Sequence, residues 1–177
     1  MGDSVITVVA IFLAAILMFV FPLMSVAERN DDIAQLSAQT ITSEFVDNAR
    51  SIGKVTMEDY ATFGDKLGAT GNSYDIEMEI KVLDENIGKK SAWTNKEVIG
   101  ENVYYSIYTS QILEVLMADD GNGVYSMKQG DYFSVSIKNT NQTIAQLLRS
   151  FFYSIAGKDT YQVAAQHSGM VTSTGIN

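Results

Sequence analysis

The chain has 177 residues, with 12 Lys and Arg against 21 Asp and Glu and a net charge of −9, a balance that argues against the basic stripe of a nucleic-acid binder and against a polybasic dock on anionic lipid. It has no cysteine, so a disulfide framework and any thiolate chemistry or thiolate metal site are excluded and the fold is held by burial alone. Tyr and Phe are frequent, proline occurs once and no stretch is low-complexity, which is the composition of a folded chain.

The first element is an uncharged run over residues 5–27, 23 residues long. At ~1.5 Å per residue a helix of that length reaches ~34 Å, enough to cross a hydrocarbon core ~30 Å thick. A secretory signal would have a basic start and a shorter apolar region. Only Ser25-Val26-Ala27 fits such a signal, as a small-x-small cleavage site that would leave Glu28 first, whereas Met1-Gly2-Asp3-Ser4 carries no Lys or Arg. A retained helix is the better reading. Arg29 is the sole basic residue near either end, so flanking charge marks orientation weakly and an outward-facing remainder follows from composition.

Helical patterning continues past the run. Ala34, Ala38, Ile41, Phe45, Ala49 and Ile52 fall within about 80° of one another at 100° per residue, one narrow apolar stripe. Glu28, Arg29, Asp31, Asp32, Gln35, Gln39, Glu44, Asp47 and Arg50 take the other faces. A single helix of about 50 residues is expected, apolar all round in its first half and amphipathic in its second. Pro22 removes one backbone donor and clashes with the carbonyl of Met18, so a kink or local melting is expected there, although membrane helices tolerate proline.

This order of parts, with Pro22 in the second half of the apolar helix and a small α/β head after the amphipathic extension, resembles the type IV pilins and their relatives, including the pseudopilins of tight-adherence systems. Residues 1–53 carry the likeness by pattern, and residues 54–177, the expected head, by layout only. The resemblance implies an assembly helix that includes Asp3, Val5, Val8, Ile11, Phe12, Ala15, Phe19 and Pro22, sits in the membrane before assembly and becomes the filament core afterwards. It also implies processing after a small residue, for which Gly2 would serve. Pilins commonly carry a glutamate near the fifth mature position, where this chain has Val5 or Thr7, depending on whether counting starts at Met1 or Asp3. Asp3 is then the acid that would offset a neighbour's N-terminal ammonium and fix axial register. Apart from the resemblance, Asp3 reads as a solvated acid at the membrane face, or as a cap shared with Ser4.

In the head, Thr56-Met57-Glu58-Asp59 predicts a helix start with Thr56 as N-cap and Asp59 at N3, continued by Tyr60, Phe63, Gly64 and Leu67 and stopped by residues 68–72. Residues 74–83 alternate, with Tyr74, Ile76, Met78, Ile80 and Val82 on one side and Asp75, Glu77, Glu79 and Lys81 on the other, a strand with one buried face in an antiparallel sheet. Residues 84–94 read as a variable loop with Trp93 as an anchor. Residues 103–108 have strand-like types, but Ile112 to Met117 favour a helix, and residues 102–117 are expected to be helical.

Asp119-Asp120-Gly121-Asn122-Gly123 fails as a calcium loop, because Gly121 and Val124 stand where an oxygen ligand and a glycine are needed. It predicts a tight connection into a strand. Residues 124–127 and 132–138 then read as a hairpin. Ile144, Leu147, Leu148, Phe151, Phe152 and Ile155 follow one helical stripe, expected to pack on the sheet, with Asn141 or Thr143 as cap and Gly157 as stop. Residues 161–171 give a last strand. The expected class is α+β, a long N-terminal hydrophobic helix with an amphipathic extension and then a small head with a three- or four-stranded antiparallel sheet and packed helices.

Catalytic signals are weak. His167 is the only histidine and has no cysteine partner, so a surface or strand-edge residue is expected. No nucleophile-elbow sequence or phosphate-cradling glycine loop occurs. Glu77 and Glu79 fit a solvated sheet face, and the glycosylation triplet Asn141-Gln142-Thr143 fits a cap better. No enzyme activity and no cofactor are expected. The expected role is a structural subunit whose partners are its own kind, the membrane before assembly and an assembly machinery. The alternatives are a single-pass accessory subunit of a secretion or conjugation apparatus, and a secreted binding domain after cleavage at Ala27.

Overall fold

The computed structural model describes residues 2–83, 104–118, 123–141, 147 and 164–175. The uncharged run and the amphipathic stretch form one helix, α1 (Gly2–Ile52), of 51 residues. Residues on both sides of Pro22 stay helical, so of the kink or local melting expected there, melting does not occur. Loss of one amide donor is a small defect in a ladder this long.

The second half of α1 buries Ala34, Ala38, Thr42, Phe45, Val46 and Ala49. Compared with the expected stripe, the buried face is rotated by roughly 40°, toward Thr42 and Val46. Ile41 sits at its edge, and Ile52, expected within the stripe, is 45 % exposed. It lies in the last turn, where the chain leaves the sheet. Thr42 is tolerated in the core because its hydroxyl donates to the Ala38 carbonyl at 2.7 Å. The small side chains of Ala34, Ala38 and Ala49 let the helix approach closely, and Phe45 and Val46 fill the space between them.

Gly53, at φ +78°, turns the chain into β1 (Lys54–Thr56) and then α2 (Met57–Gly68). The capping box expected at Thr56 is present: the Asp59 amide donates to Thr56 Oγ1 at 3.0 Å and the Thr56 amide to Asp59 Oδ2 at 3.2 Å. β2 (Tyr74–Leu83) has the predicted span, with Met78 and Ile80 fully buried.

Two expectations are corrected. Residues 102–117 are not one helix, because β3 (Tyr104–Tyr108) pairs antiparallel with β2, and α3 (Thr109–Leu116) starts only after it. Aromatic and branched side chains suit the open edge that β2 offers, and Thr109 ends the strand by exchanging bonds with the Met78 backbone at 2.7 and 3.2 Å. The second correction concerns the hairpin. β4 (Val124–Ser126) pairs with β1, whereas β5 (Tyr132–Asn139) joins β2 and β6 (Ala164–Met170) in the other sheet. The buried Asp131 carboxylate, which accepts from the amides of Leu83 at 2.9 Å and Lys128 at 2.8 Å, pins the intervening turn to the end of β2.

The main sheet is antiparallel in the order β3-β2-β5-β6, and the smaller one pairs β1 with β4. α1 lies chiefly over β6 and β5, and its buried face joins Phe63 and Leu67 of α2, Ile112 and Leu116 of α3, and Phe133, Val135 and Ile137 of β5 in one core. The chain is therefore an α+β protein with a long N-terminal helix and a small antiparallel head. The expected Trp93 loop, residues 119–122 and Gly157 lie outside the described residues, as does the 144–155 helix apart from Leu147, which is helical and exposed.

Candidate functional site

The first half of α1 is the candidate site. From Val5 to Val26, fourteen large apolar side chains stand exposed, Phe12 at 68 % and Phe19 at 75 % among them. Val8 and Ile11 are among the fourteen, Asp3, Ala15 and Pro22 are exposed too, and no part of the most apolar stretch is buried against the rest of the chain. At ~1.5–3 kcal/mol for full burial of each such side chain, and with the fourteen 43–75 % exposed, covering them is worth on the order of 10–25 kcal/mol. A domain's whole stability is ~5–15 kcal/mol, so this rod cannot remain bare in water. It is long and apolar enough to cross a membrane.

The rod offers little to a polar ligand. Its one threonine, Thr7, turns its hydroxyl back to the Asp3 carbonyl at 2.8 Å, so that group is satisfied without water. Ala10, Ala14 and Ala15 leave room for another helix to approach. No family model, curated protein or solved structure matches the chain. The reading of the rod therefore stands on its chemistry and on how it is fixed to the head.

That fixation is extensive. Phe45 of α1 stacks on Phe63 of α2 with centroids 4.3 Å apart, and meets Phe133 of β5 edge-on at 5.9 Å. Asp47 of α1 accepts from Arg50 Nε at 2.8 Å and lies 3.1 Å from Nε2 of His167 on β6. The hydrogen bond to His167 holds the Asp47 carboxyl below its usual range; partial desolvation opposes this and Arg50 adds to it. Arg50 lies across β6 at Gly169, where any Cβ would come within 2.8 Å of its Cδ. Burial pushes the Tyr60 and Tyr125 hydroxyls up.

A C-terminal strap closes the junction. The Thr172 amide donates to the Arg50 carbonyl at 3.0 Å, Gly175 to Met127 at 2.9 Å and Met127 to Gly53 at 2.7 Å, and Ser173 Oγ donates to the Ser51 carbonyl. Nothing in the local sequence marks this strap or the Asp47–His167 pair. Of the residues singled out by the sequence, the lone histidine is the one that belongs to this junction.

Elsewhere the expected minor features have structural roles. His167 sits half-buried on an edge strand. Glu77 is exposed on the polar face of β2, and Glu79 there accepts from Ser106 Oγ at 2.7 Å. Asn141 accepts from the Ser73 amide at 2.9 Å, and any helix that it would cap lies outside the described residues. A groove of about 270 Å³ between α1 and α2 is lined by Phe45, Phe63 and the exposed Glu44–Lys66 pair, 3.6 Å apart. Among the described residues, no cluster of His, Asp and Glu could hold a metal ion.

Proposed function

We propose that the chain is a structural subunit of a pilus-like extracellular filament, held by its apolar helix first in the membrane and then in a bundle of its own kind, with the head on the fibre surface. The observation that supports this reading is the continuity of α1. One helix is a bare apolar rod in its first half and the centre of the head's core in its second, so whatever covers the rod also fixes the head. A flexible linker, the usual join between an anchor and an independent domain, is replaced by rigid helix.

Heterologous contacts that do not close on themselves generate helical fibres, and a helix that projects from one copy into its neighbours is such a contact. Electron microscopy of the sheared surface fraction tests the reading. Fibres are expected from the full chain and lost on Ala15→Lys, while a head lacking residues 2–27 stays monomeric. Polymerisation of that head alone would contradict it. Because the rod also matches a bilayer in length, a single-pass accessory subunit of a secretion or conjugation apparatus shares this geometry. It differs in staying in the membrane fraction after shearing and forming no homopolymer.

A further inference from the structure

Between residues 29 and 36, the face of α1 opposite its buried stripe carries its own pattern, whereas five turns on from Arg29, at the same azimuth, Asp47 meets His167 of β6. At 100° per residue, Arg29 points about 170° from the centre of the buried face, and Ile33 and Leu36 flank that direction. Both are well exposed, at 55 % and 65 %, although they belong to the amphipathic half where exposed positions are otherwise mostly polar. Arg29 is the only cation on the helix before Arg50, and Asp3 the only anion before Glu28. Neither has an ion-pair partner among the described residues.

We infer that this back face receives the N-terminal end of a second copy's α1, parallel and shifted by the 26 residues that separate Asp3 from Arg29, so that the incoming Asp3 meets Arg29. This rests on the filament reading and names the contact that sets its register. A shift of 26 residues is ~39 Å of helix, one full apolar run plus about a turn. Successive rods then lie almost end to end. At the same offset the incoming Ile6 and Thr7 come level with Asp32 and Ile33, and Val9 and Ala10 with Gln35 and Leu36, so the two exposed apolar residues are covered.

Charge decides between this register and its neighbours. A carboxylate drawn into an apolar bundle without a counter-ion is strongly unfavourable. An offset smaller by one turn sets Asp3 level with Ser25 and Val26 and Arg29 level with Ile6 and Thr7, both unpaired, and one larger by a turn sets Asp3 level with Asp32 and Ile33, beside a like charge. Opposite charges at the two ends of the run thus define one offset.

The test uses the full chain in the sheared surface fraction. Arg29→Glu and Asp3→Lys should each cut fibre yield about tenfold or more by setting like charges together, and the double reversal should return it to within a few-fold of the original. Because the chain has no cysteine, register is also read directly: Ser4→Cys with Asn30→Cys, at the same 26-residue offset, should give a ladder of cross-linked multimers under mild oxidation. Ser4→Cys with Ser37→Cys should give none. Normal fibres from Arg29→Glu, a double reversal as poor as the single changes, or a ladder only from the Ser37 pair overturns the register while leaving the filament reading intact. Absence of fibres from the unmodified chain removes both.

Discussion

Phe45 and Phe63 stack face to face, with centroids 4.3 Å apart and planes 9° from parallel, where α1 crosses α2. This contact, with the edge-on approach of Phe133, sets how the long helix seats on the head. Phe45→Ala removes both ring contacts and opens a cavity at the centre of the core. A loss of about 3–5 kcal/mol is expected, measured by denaturant unfolding of the full chain in detergent. Leu at the same position should recover much of it.

Gly53 carries a second prediction. Its φ of +78° disfavours any other residue, and a Cβ there would lie 2.2 Å from the Ser173 carbonyl oxygen and 2.5 Å from the Gly175 nitrogen. Gly53→Ala should cost roughly 1–3 kcal/mol from backbone strain alone, with the overlap adding to it. Faster proteolysis of the C-terminal strap should accompany the lower unfolding midpoint. An unchanged midpoint would mean that the strap does not brace the helix end.

A third prediction concerns acid. The Asp47 carboxyl is held low, first by its hydrogen bond from His167 and further by Arg50. Its contribution to stability is full above the unfolded carboxyl value of about 4 and is lost as pH falls through the lower folded value. The stability difference between the original chain and Asp47→Asn should therefore be present at neutral pH, shrink as pH falls below the unfolded carboxyl value of about 4, and vanish once pH is below the folded one. With that side chain 49 % exposed, solvent screening keeps the difference under about 1 kcal/mol. A gap that widens in acid would contradict the assignment.

A charge in the rod is the fourth. Lysine in place of Ile11 or Ala15 costs about 2.5–3.5 kcal/mol at the centre of a membrane helix, and more in a dry bundle without a partner. Fibres and membrane retention should both decline, and circular dichroism of the head should not change, because the rod makes no contact that the head's core needs.

Much of this was legible locally. The alternation of residues 74–83 and the Thr56–Asp59 box depend on near neighbours in the chain, and both have the expected form. The features that were not legible are set at long range. Tyr104 to Tyr108 become a strand because β2 presents an edge, and Val124 to Ser126 turn to β1 because Asp131 fixes the chain beside Leu83. The rotation of the α1 stripe onto Thr42 and Val46 reflects where the sheet lies, which helical periodicity does not encode. Asp47 and His167 are 120 residues apart, and only the packing of α1 on β6 brings them together.

The most direct measurement is the N-terminal sequence and intact mass of native protein recovered from sheared surface material. A mature chain that retains residues 5–27 and sediments as fibres is the expected result. A soluble chain that begins at Glu28 would contradict the proposed role, since the rod that carries it would then be only a discarded signal.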